Sequence, residues 1–162
     1  MKYAEHRVAA RIAISLGSNL GDRRAHLEWA VSRLAGVLGP LRVSSVIETE
    51  PVDVPSPQPP YLNAVAVGET TMAADEVIAL LLRMERERGR ERLAPKAPRT
   101  LDLDLILYGD VVLDSPPLVL PHPRFRERRF VLEPLAEVAP EWRDPVTGKT
   151  VGELLGELES VT

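Results

Sequence analysis

The segment from residue 101 to 107 reads Leu-Asp-Leu-Asp-Leu-Ile-Leu, which has the period of a β-strand. In an extended chain its four leucines would share one face, and Asp102, Asp104 and Ile106 would share the other. Aspartate is a poor strand former, and two like charges on one sheet face repel each other unless a cation lies between them. Two interpretations stay open: an edge strand with a solvated polar face, or a carboxylate pair that binds Mg²⁺.

Five further elements precede this strand. A β run at 11–16 leads into a helix that carries apolar residues at helical spacing and ends at Gly39-Pro40. Strands follow at 41–48 and 61–68, and a second helix has Thr71 as its predicted N-cap and ends near Gly89. The order strand, helix, strand, strand, helix, strand predicts an α+β fold with a ferredoxin-like βαββαβ core. Such a core is a four-stranded antiparallel sheet with two helices packed on one face.

The remainder of the chain is predicted to form a C-terminal extension. Residues 113–121 should be irregular because Pro116-Pro117 interrupts regular structure, and a helical run follows at 132–138. Thr150 and Glu153 form the pattern of a capping box that starts a terminal helix. We therefore expect a single domain over 1–162, with its core at about 11–108 and the extension at about 109–162.

Two loops carry unusual composition. Residues 51–60 contain five prolines, so they predict a stiff, irregular connection, which in a compact domain is usually functional or disordered. The turn from Gly17 to Asp22 links a strand to a helix, and its backbone N–H groups offer a weak candidate for anion binding.

The composition is that of an ordinary globular protein. The chain has 162 residues, of which 44% are hydrophobic and 27% charged, and it contains no cysteine. Disulfides and cysteine-ligated zinc are therefore excluded. The sequence contains no apolar run of membrane-spanning length, and its N-terminus lacks the apolar core of a signal peptide. We expect a cytoplasmic monomer that does not bind membranes.

The net charge of -4 argues against general affinity for nucleic acid. Positive charge is nevertheless concentrated locally. Residues 83–99 hold seven Lys/Arg against three Asp/Glu, and residues 122–129 hold four Arg against one Glu. Two basic segments in an acidic chain indicate a small polyanionic ligand, although solvated charged faces would give the same pattern.

Three segments together resemble the 6-hydroxymethyl-7,8-dihydropterin pyrophosphokinase family of folate biosynthesis. They are Gly17-Ser18-Asn19-Leu20-Gly21-Asp22, Tyr61-Leu62-Asn63-Ala64, and PRTLDLDLILYG (98–109) with LPHPRFRERRFVLEPL (120–135). The resemblance extends from about Ile12 to Pro140. It implies a ferredoxin-like core and transfer of the β,γ-diphosphate of ATP to the pterin hydroxymethyl group, with release of AMP.

The resemblance also implies roles for individual residues. Asp102 and Asp104 match the pair that holds two Mg²⁺ ions between the phosphates and the attacking oxygen. The implied catalytic residues are this pair with Arg90 and Arg92. The implied ATP-binding residues are Glu85, Arg92, Arg99, His122 and Arg128. The implied pterin-binding residues are Thr49, Val52, Tyr61, Asn63 and Phe130.

One position departs from the family pattern. The family usually has a tryptophan in a Trp-Gly-Pro-Arg run before the strand, whereas this chain has Lys96-Ala97-Pro98-Arg99. A lysine can contact phosphate but cannot cover a pterin ring as an indole does.

Three other functions are alternatives to pyrophosphokinase activity. A non-catalytic ferredoxin-like module would bind a small ligand without metal-dependent ATP binding. A nucleic-acid reader on the same fold would need exposed aromatic pairs on its strands, which this sequence lacks. A plain kinase that releases ADP is the nearest enzymatic rival, and its nucleotide product distinguishes it.

Overall fold

The computed structural model of the chain describes residues 8–51, 57–89 and 99–161. Five strands form its main sheet: β1 (Ala10–Ser18), β2 (Leu41–Val43), β3 (Ile47–Thr49), β4 (Tyr61–Thr70) and β5 (Asp102–Tyr108). Four α-helices accompany them: α1 (Arg23–Leu38), α2 (Ala74–Glu87), α3 (Arg129–Val138) and α4 (Val151–Val161). Within the described ranges, no helix is long and apolar enough to cross a membrane.

The sheet has the predicted ferredoxin-like order. β1 pairs with β4 on one side and with β5 on the other, while β2 and β3 both pair with β4. All these pairings are antiparallel. The fold class predicted from the sequence is therefore confirmed, with β5 at one edge of the sheet.

The predicted strand 41–48 is interrupted and forms two short strands. Ser44 still pairs with β4, since its backbone N–H donates to the Val65 carbonyl at 2.9 Å. The backbone N–H of Ser45 donates instead to the Glu137 carboxylate of α3, at 2.7 Å. The edge strand is broken at this point because its backbone hydrogen bonding changes from a strand partner to a helix side chain.

Both faces of the sheet are covered. α1 and α2 pack on one face through a core that includes Ile14, Leu34 and Met84, and α3 and α4 pack on the other through Val65, Leu132 and Leu154. The sequence predicted only the first of these layers around the sheet. The C-terminal extension supplies the second layer, which covers the face that carries the aspartates.

A β-bulge alters the predicted pattern of β5. The register moves from Ala13 opposite Leu107 to Ile14 opposite Leu105, so Ile106 is the extra residue. Leu107 consequently packs with Ile106 in the α3 and α4 core, and not with Leu103 and Leu105 as alternation predicted. The bulge leaves Asp102 and Asp104 in regular alternation at the start of the strand.

Two local predictions were wrong. The second helix begins at Ala74 and not directly after Thr71, and the Glu76 carboxylate caps it by accepting the Ala73 N–H at 2.7 Å. Residues 113–121 are not irregular but contain a hairpin of β6 (Leu113–Ser115) and β7 (Leu118–Leu120). The two prolines occupy its turn, where they need not donate a ladder hydrogen bond. The capping box at Thr150 and Glu153 is confirmed by bonds of 2.9 and 3.1 Å.

Candidate active site

A row of three residues across the sheet forms the centre of the candidate site. Gly17 on β1 lies opposite Asn63 on β4 and opposite Asp102 on β5. Adjacent strands are just under 5 Å apart, so the Asn63 and Asp102 backbones are separated by about 10 Å. A Cβ atom on Gly17 would lie 3.0 Å from Asn63 Oδ1 and 3.4 Å from the Tyr61 ring. The absence of a side chain at Gly17 thus lets the Asn63 amide and the Tyr61 ring approach the β1 backbone, on the side of β1 opposite to β5.

Asp104 follows Asp102 on the same face of β5. Both aspartates are partly exposed, whereas Leu103 and Leu105 are buried on the opposite face. The Arg99 guanidinium lies 3.1 Å from Asp102 Oδ1 and supplies positive charge beside the pair. The sequence predicted this side-by-side arrangement, and the structure confirms that the two carboxylates share one face.

The donor set around these carboxylates fits one class of metal site. In the described ranges, no group of three or more His, Cys, Asp or Glu side chains is placed to hold a metal ion. Two carboxylates that leave further positions to phosphate oxygens and water match the way Mg²⁺ is usually bound with nucleotides. A closed zinc site would need more ligands from the protein.

Asn19 connects three segments at the edge of the site. Its side chain is fully buried, and its Oδ1 accepts the Arg99 backbone N–H at 2.8 Å. Its Nδ2 donates to Gln58 Oε1 at 3.0 Å and to the Pro59 carbonyl at 3.3 Å. The Asn19 backbone N–H donates to the Arg99 carbonyl at 3.0 Å and so is already paired. Asn19 therefore links the turn after β1 to residues 58–59 and to Arg99. Its backbone N–H is not available for the anion binding that the sequence suggested for this turn.

His122 stands beside the end of β5. Its backbone N–H donates to the Ile106 carbonyl at 2.9 Å, and its Nδ1 accepts the Arg124 N–H at 3.2 Å. Burial, followed by the charge of Arg128, lowers the pKa of His122 to about 4, although the charge of Asp102 acts in the opposite sense. The imidazole is therefore neutral at pH 7. Because Nδ1 is an acceptor, Nε2 carries the proton and is a donor.

Arg128 and Phe130 lie at the start of α3, close along the chain to His122. Arg128 is the N-cap residue of the helix, and its guanidinium carbon lies 5.6 Å from the centre of the Phe130 ring. Phe130 is partly buried against the same core that covers the aspartate face of the sheet. The second basic segment of the sequence is therefore placed on this face.

Three of the predicted pterin-binding residues gather on β3 and β4. Thr49 lies opposite Tyr61, and Thr49 Oγ1 accepts a hydrogen bond from Asn63 Nδ2 at 2.6 Å. This bond orients the amide with Oδ1 directed toward Gly17. Tyr61 and Asn63 alternate on β4 and so present their side chains to one face.

Glu85 lies on the other side of β5. It is buried on α2, and its carboxylate accepts the Leu103 backbone N–H at 2.8 Å, where it covers the outer edge of the strand. Its predicted contact with ATP is not tested by this position and stays a prediction. Val52, Arg90, Arg92 and Lys96 fall outside the described residues.

Sequence reasoning did not single out Gly17 or Asn19. Both belong to the Gly-Ser-Asn-Leu-Gly motif, which contributes to the family resemblance but does not indicate what either residue contacts. The role depends on register and on contacts 39 to 80 residues apart along the chain, which no local pattern encodes.

Comparison with known proteins gives a consistent result. A family model described as 7,8-dihydro-6-hydroxymethylpterin-pyrophosphokinase (HPPK) matches residues 13–140. The chain is 40% identical over 148 residues to a 2-amino-4-hydroxy-6-hydroxymethyldihydropteridine pyrophosphokinase of Synechocystis, covering 90% of this chain and 75% of the relative. It is 39% identical to a protein of the same name from Pseudomonas aeruginosa, covering 90% of each.

Solved structures support the fold. The wild-type HPPK-DHPS of Plasmodium falciparum superposes with a TM-score of 0.74 at 15% identity and covers 96% of this chain. The match spans 46% of the length of that larger chain. At this identity the likeness concerns the arrangement of the chain alone.

Proposed function

The chain belongs to the 7,8-dihydro-6-hydroxymethylpterin-pyrophosphokinase family, and on that premise we propose that it transfers diphosphate from ATP to 6-hydroxymethyl-7,8-dihydropterin. AMP is the second product. The proposed reaction requires two Mg²⁺ ions. The acting species is a monomer in the cytoplasm, and small molecules are its only substrates.

The observation that carries this proposal is the row Asn63, Gly17, Asp102. It places a hydrogen-bonding amide about 10 Å from a carboxylate pair, with no side chain between them. A pterin held by the amide would extend its hydroxymethyl group across Gly17 toward the carboxylates. In this proposal the row would separate a ring site on β3 and β4 from a metal–nucleotide site on β5.

Asp102 and Asp104 would hold the metal. Bound there, Mg²⁺ would neutralise charge on the phosphate oxygens and favour ionisation of the attacking hydroxyl. The chain's part is to present two carboxylates on one face and to keep Arg99 beside Asp102 at 3.1 Å. That ion pair also orients the Asp102 carboxylate before substrate arrives.

Positive and neutral donors complete the phosphate site. Arg99 and Arg128 offer planar guanidinium groups, which bind phosphate oxygens in pairs. The neutral His122 offers an Nε2–H donor, since its Nδ1 is occupied by the Arg124 N–H. The family resemblance adds Glu85, Arg90 and Arg92 to this group.

The pterin is held by hydrogen bonding and stacking. Asn63 has Oδ1 directed toward Gly17 because Thr49 accepts the hydrogen bond from Nδ2, so the pterin would meet an acceptor there. Tyr61 and Phe130 supply aromatic faces, one from β4 and one from α3. Val52 joins this group by resemblance.

The proposed reaction is a displacement at the β-phosphorus. The hydroxymethyl oxygen forms a bond to that phosphorus, the bond from the phosphorus to the oxygen bridging toward the α-phosphate breaks, and AMP leaves with the bridging oxygen. The hydroxyl proton is released to solvent. Positioning and charge neutralisation therefore account for the role of the protein.

Product analysis tests the proposal. The purified protein is incubated with ATP, Mg²⁺ and 6-hydroxymethyl-7,8-dihydropterin, and the nucleotides are separated. We expect AMP and pterin diphosphate in equal amounts, and only when pterin and metal are both present. ADP as the product would place the attack on the γ-phosphorus and refute the proposal.

A further inference from the structure

An ion pair between a buried aspartate and a partly buried arginine links the C-terminal part of the chain to the segment that carries His122 and Arg128. Asp144 is fully buried, and its two carboxylate oxygens accept hydrogen bonds from Nε and Nη2 of Arg126, the latter at 2.8 Å. The same oxygens accept the Val146 N–H at 3.0 Å and the Thr147 hydroxyl at 2.7 Å. Asp144 thus joins its own turn to Arg126 through four donors.

Arg126 occupies a central position in that segment. It lies in a 3₁₀ turn, Phe125–Glu127, between His122 and Arg128. His122 is attached to β5 through its backbone, and Phe125 is fully buried in the core. The guanidinium of Arg126 stacks on the Phe125 ring at 4.8 Å and reaches Asp144 beyond it. The His122 backbone bond, the buried Phe125 ring and the Arg126–Asp144 ion pair all hold this segment in place, and the ion pair ties it to the turn before α4.

The chemistry of the pair favours a role in orientation. Burying an ion pair costs desolvation energy that its attraction barely offsets, so an apolar pair of similar volume would stabilise the fold equally well. The two-pronged contact of a guanidinium with a carboxylate fixes direction as well as distance. Arg126 lies between His122 and Arg128 along the chain. Fixing its position by the bond to Asp144 therefore restricts the orientation of both neighbouring side chains.

We propose that Asp144 is a positioning residue for the nucleotide site and acts through Arg126 on His122 and Arg128. The inference rests on the proposed function, in which those two residues bind the triphosphate. Asp144 lies beyond residue 140, where the family match ends. The turn that carries Asp144 would thereby contribute to nucleotide binding.

The test compares Asp144→Asn and Arg126→Lys with wild type. Asp144→Asn keeps the shape of the side chain but loses its charge. Arg126→Lys keeps the positive charge but loses the bidentate hydrogen bonding to Asp144. Binding of a non-hydrolysable ATP analogue with Mg²⁺, and binding of the pterin alone, are measured by calorimetry at a temperature where each variant is fully folded. We expect the nucleotide Kd to rise about tenfold in both variants, because small misplacements of binding groups are costly. The pterin Kd should change less than twofold.

Arg143→Ala is the matched control. Arg143 lies next to Asp144 in the same turn, but it is exposed, and its guanidinium donates to the Gly148 carbonyl at 2.7 Å. Its nucleotide Kd should equal that of wild type. If both test variants bind nucleotide normally, or if nucleotide and pterin affinity fall equally, the positioning role is refuted. Failure of the wild type to bind the ATP analogue would instead refute the proposed function.

Discussion

Asn19 and Arg99 are joined by two hydrogen bonds that run in opposite directions. The Arg99 N–H donates to Asn19 Oδ1 at 2.8 Å, and the Asn19 N–H donates to the Arg99 carbonyl at 3.0 Å. Arg99 in turn contacts Asp102 at 3.1 Å. The end of β1 therefore fixes the start of β5, three residues before the first candidate metal ligand.

Replacing Asn19 tests that connection. Asn19→Ala leaves the Arg99 N–H without its acceptor in a partly buried place, which should lower the free energy of unfolding by about 1 to 3 kcal/mol. Turnover should fall as well, because the Arg99–Asp102 pair loses its support. Chemical denaturation and steady-state kinetics measure the two effects.

Gln58→Ala serves as the control for Asn19. It removes the hydrogen bond of 3.0 Å from Asn19 Nδ2 to Gln58 Oε1 and leaves the bond to the Pro59 carbonyl and both bonds to Arg99. We expect Gln58→Ala to retain most of the stability that Asn19→Ala loses. Equal losses of unfolding free energy in the two variants would show that Asn19 stabilises the fold through its bond to Gln58 and not through its bonds to Arg99.

Gly17 should tolerate no side chain in the active enzyme. The Cβ of Gly17→Ala would lie 3.0 Å from Asn63 Oδ1 and displace the amide that faces the pterin. We expect the KM for pterin to rise about tenfold, corresponding to roughly 1.4 kcal/mol, with the KM for ATP little changed. Gly36→Ala is the control, since a Cβ there meets nothing within 4 Å. A normal pterin KM in Gly17→Ala would show that the pterin does not bind at Asn63 beside Gly17.

Asp102 and Asp104 should be essential for turnover and dispensable for folding. Asp102→Ala or Asp104→Ala removes one of two carboxylates on a partly exposed face, so the rate should fall by at least about 100-fold while the melting temperature stays close to wild type. Asp110→Asn, in the turn after β5, provides an exposed control. Near-normal turnover in either alanine variant would contradict the metal assignment.

Ionisation of Asp144 should make the free energy of unfolding depend on pH in the acid range. Burial alone would raise the pKa of its carboxyl, but hydrogen bonds from Arg126, Thr147 and Val146 outweigh burial and lower the pKa to about 2. The folded pKa is below the unfolded value, so the stabilisation is complete above about pH 4 and is lost as the pH falls toward 2. At neutral pH it amounts to about 2 kcal/mol.

Urea denaturation of wild type and Asp144→Asn from pH 2.5 to 7 measures this contribution. The difference in unfolding free energy should be constant from pH 5 to 7 and should narrow below pH 4. A difference that remains constant down to pH 2.5 would show that the ionised carboxylate is not its source.

The sequence was sufficient for the architecture but not for the connections within the site. Strand and helix periods, with glycine and proline at the boundaries, predicted the βαββαβ order, because those signals are local. The pairing of Gly17 with both Asn63 and Asp102 depends on strand register, which no single segment encodes. The bulge at Ile106 inverted the predicted face of Leu107 for the same reason.

Long-range polar contacts were also beyond prediction. Asn19 resembles any turn asparagine in the sequence, and Asp144 resembles any surface aspartate before a proline. Their importance arises from partners 80 and 18 residues away. Asp102 and Asp104 were identifiable from strand alternation as well as from the family resemblance, whereas Asn63 was marked by the resemblance alone.

The proposed separation of a pterin site at Asn63 from a metal–nucleotide site at Asp102, on either side of Gly17, is tested most directly by paired affinity measurements on two variants. We would measure by calorimetry the binding of the pterin alone and of the Mg²⁺–ATP analogue complex to Asn63→Ala and Asp102→Asn. We expect Asn63→Ala to weaken only pterin binding and Asp102→Asn to weaken only nucleotide binding, each by about tenfold or more. Equal loss of both ligands in either variant would contradict the separation of the ring site from the metal–nucleotide site.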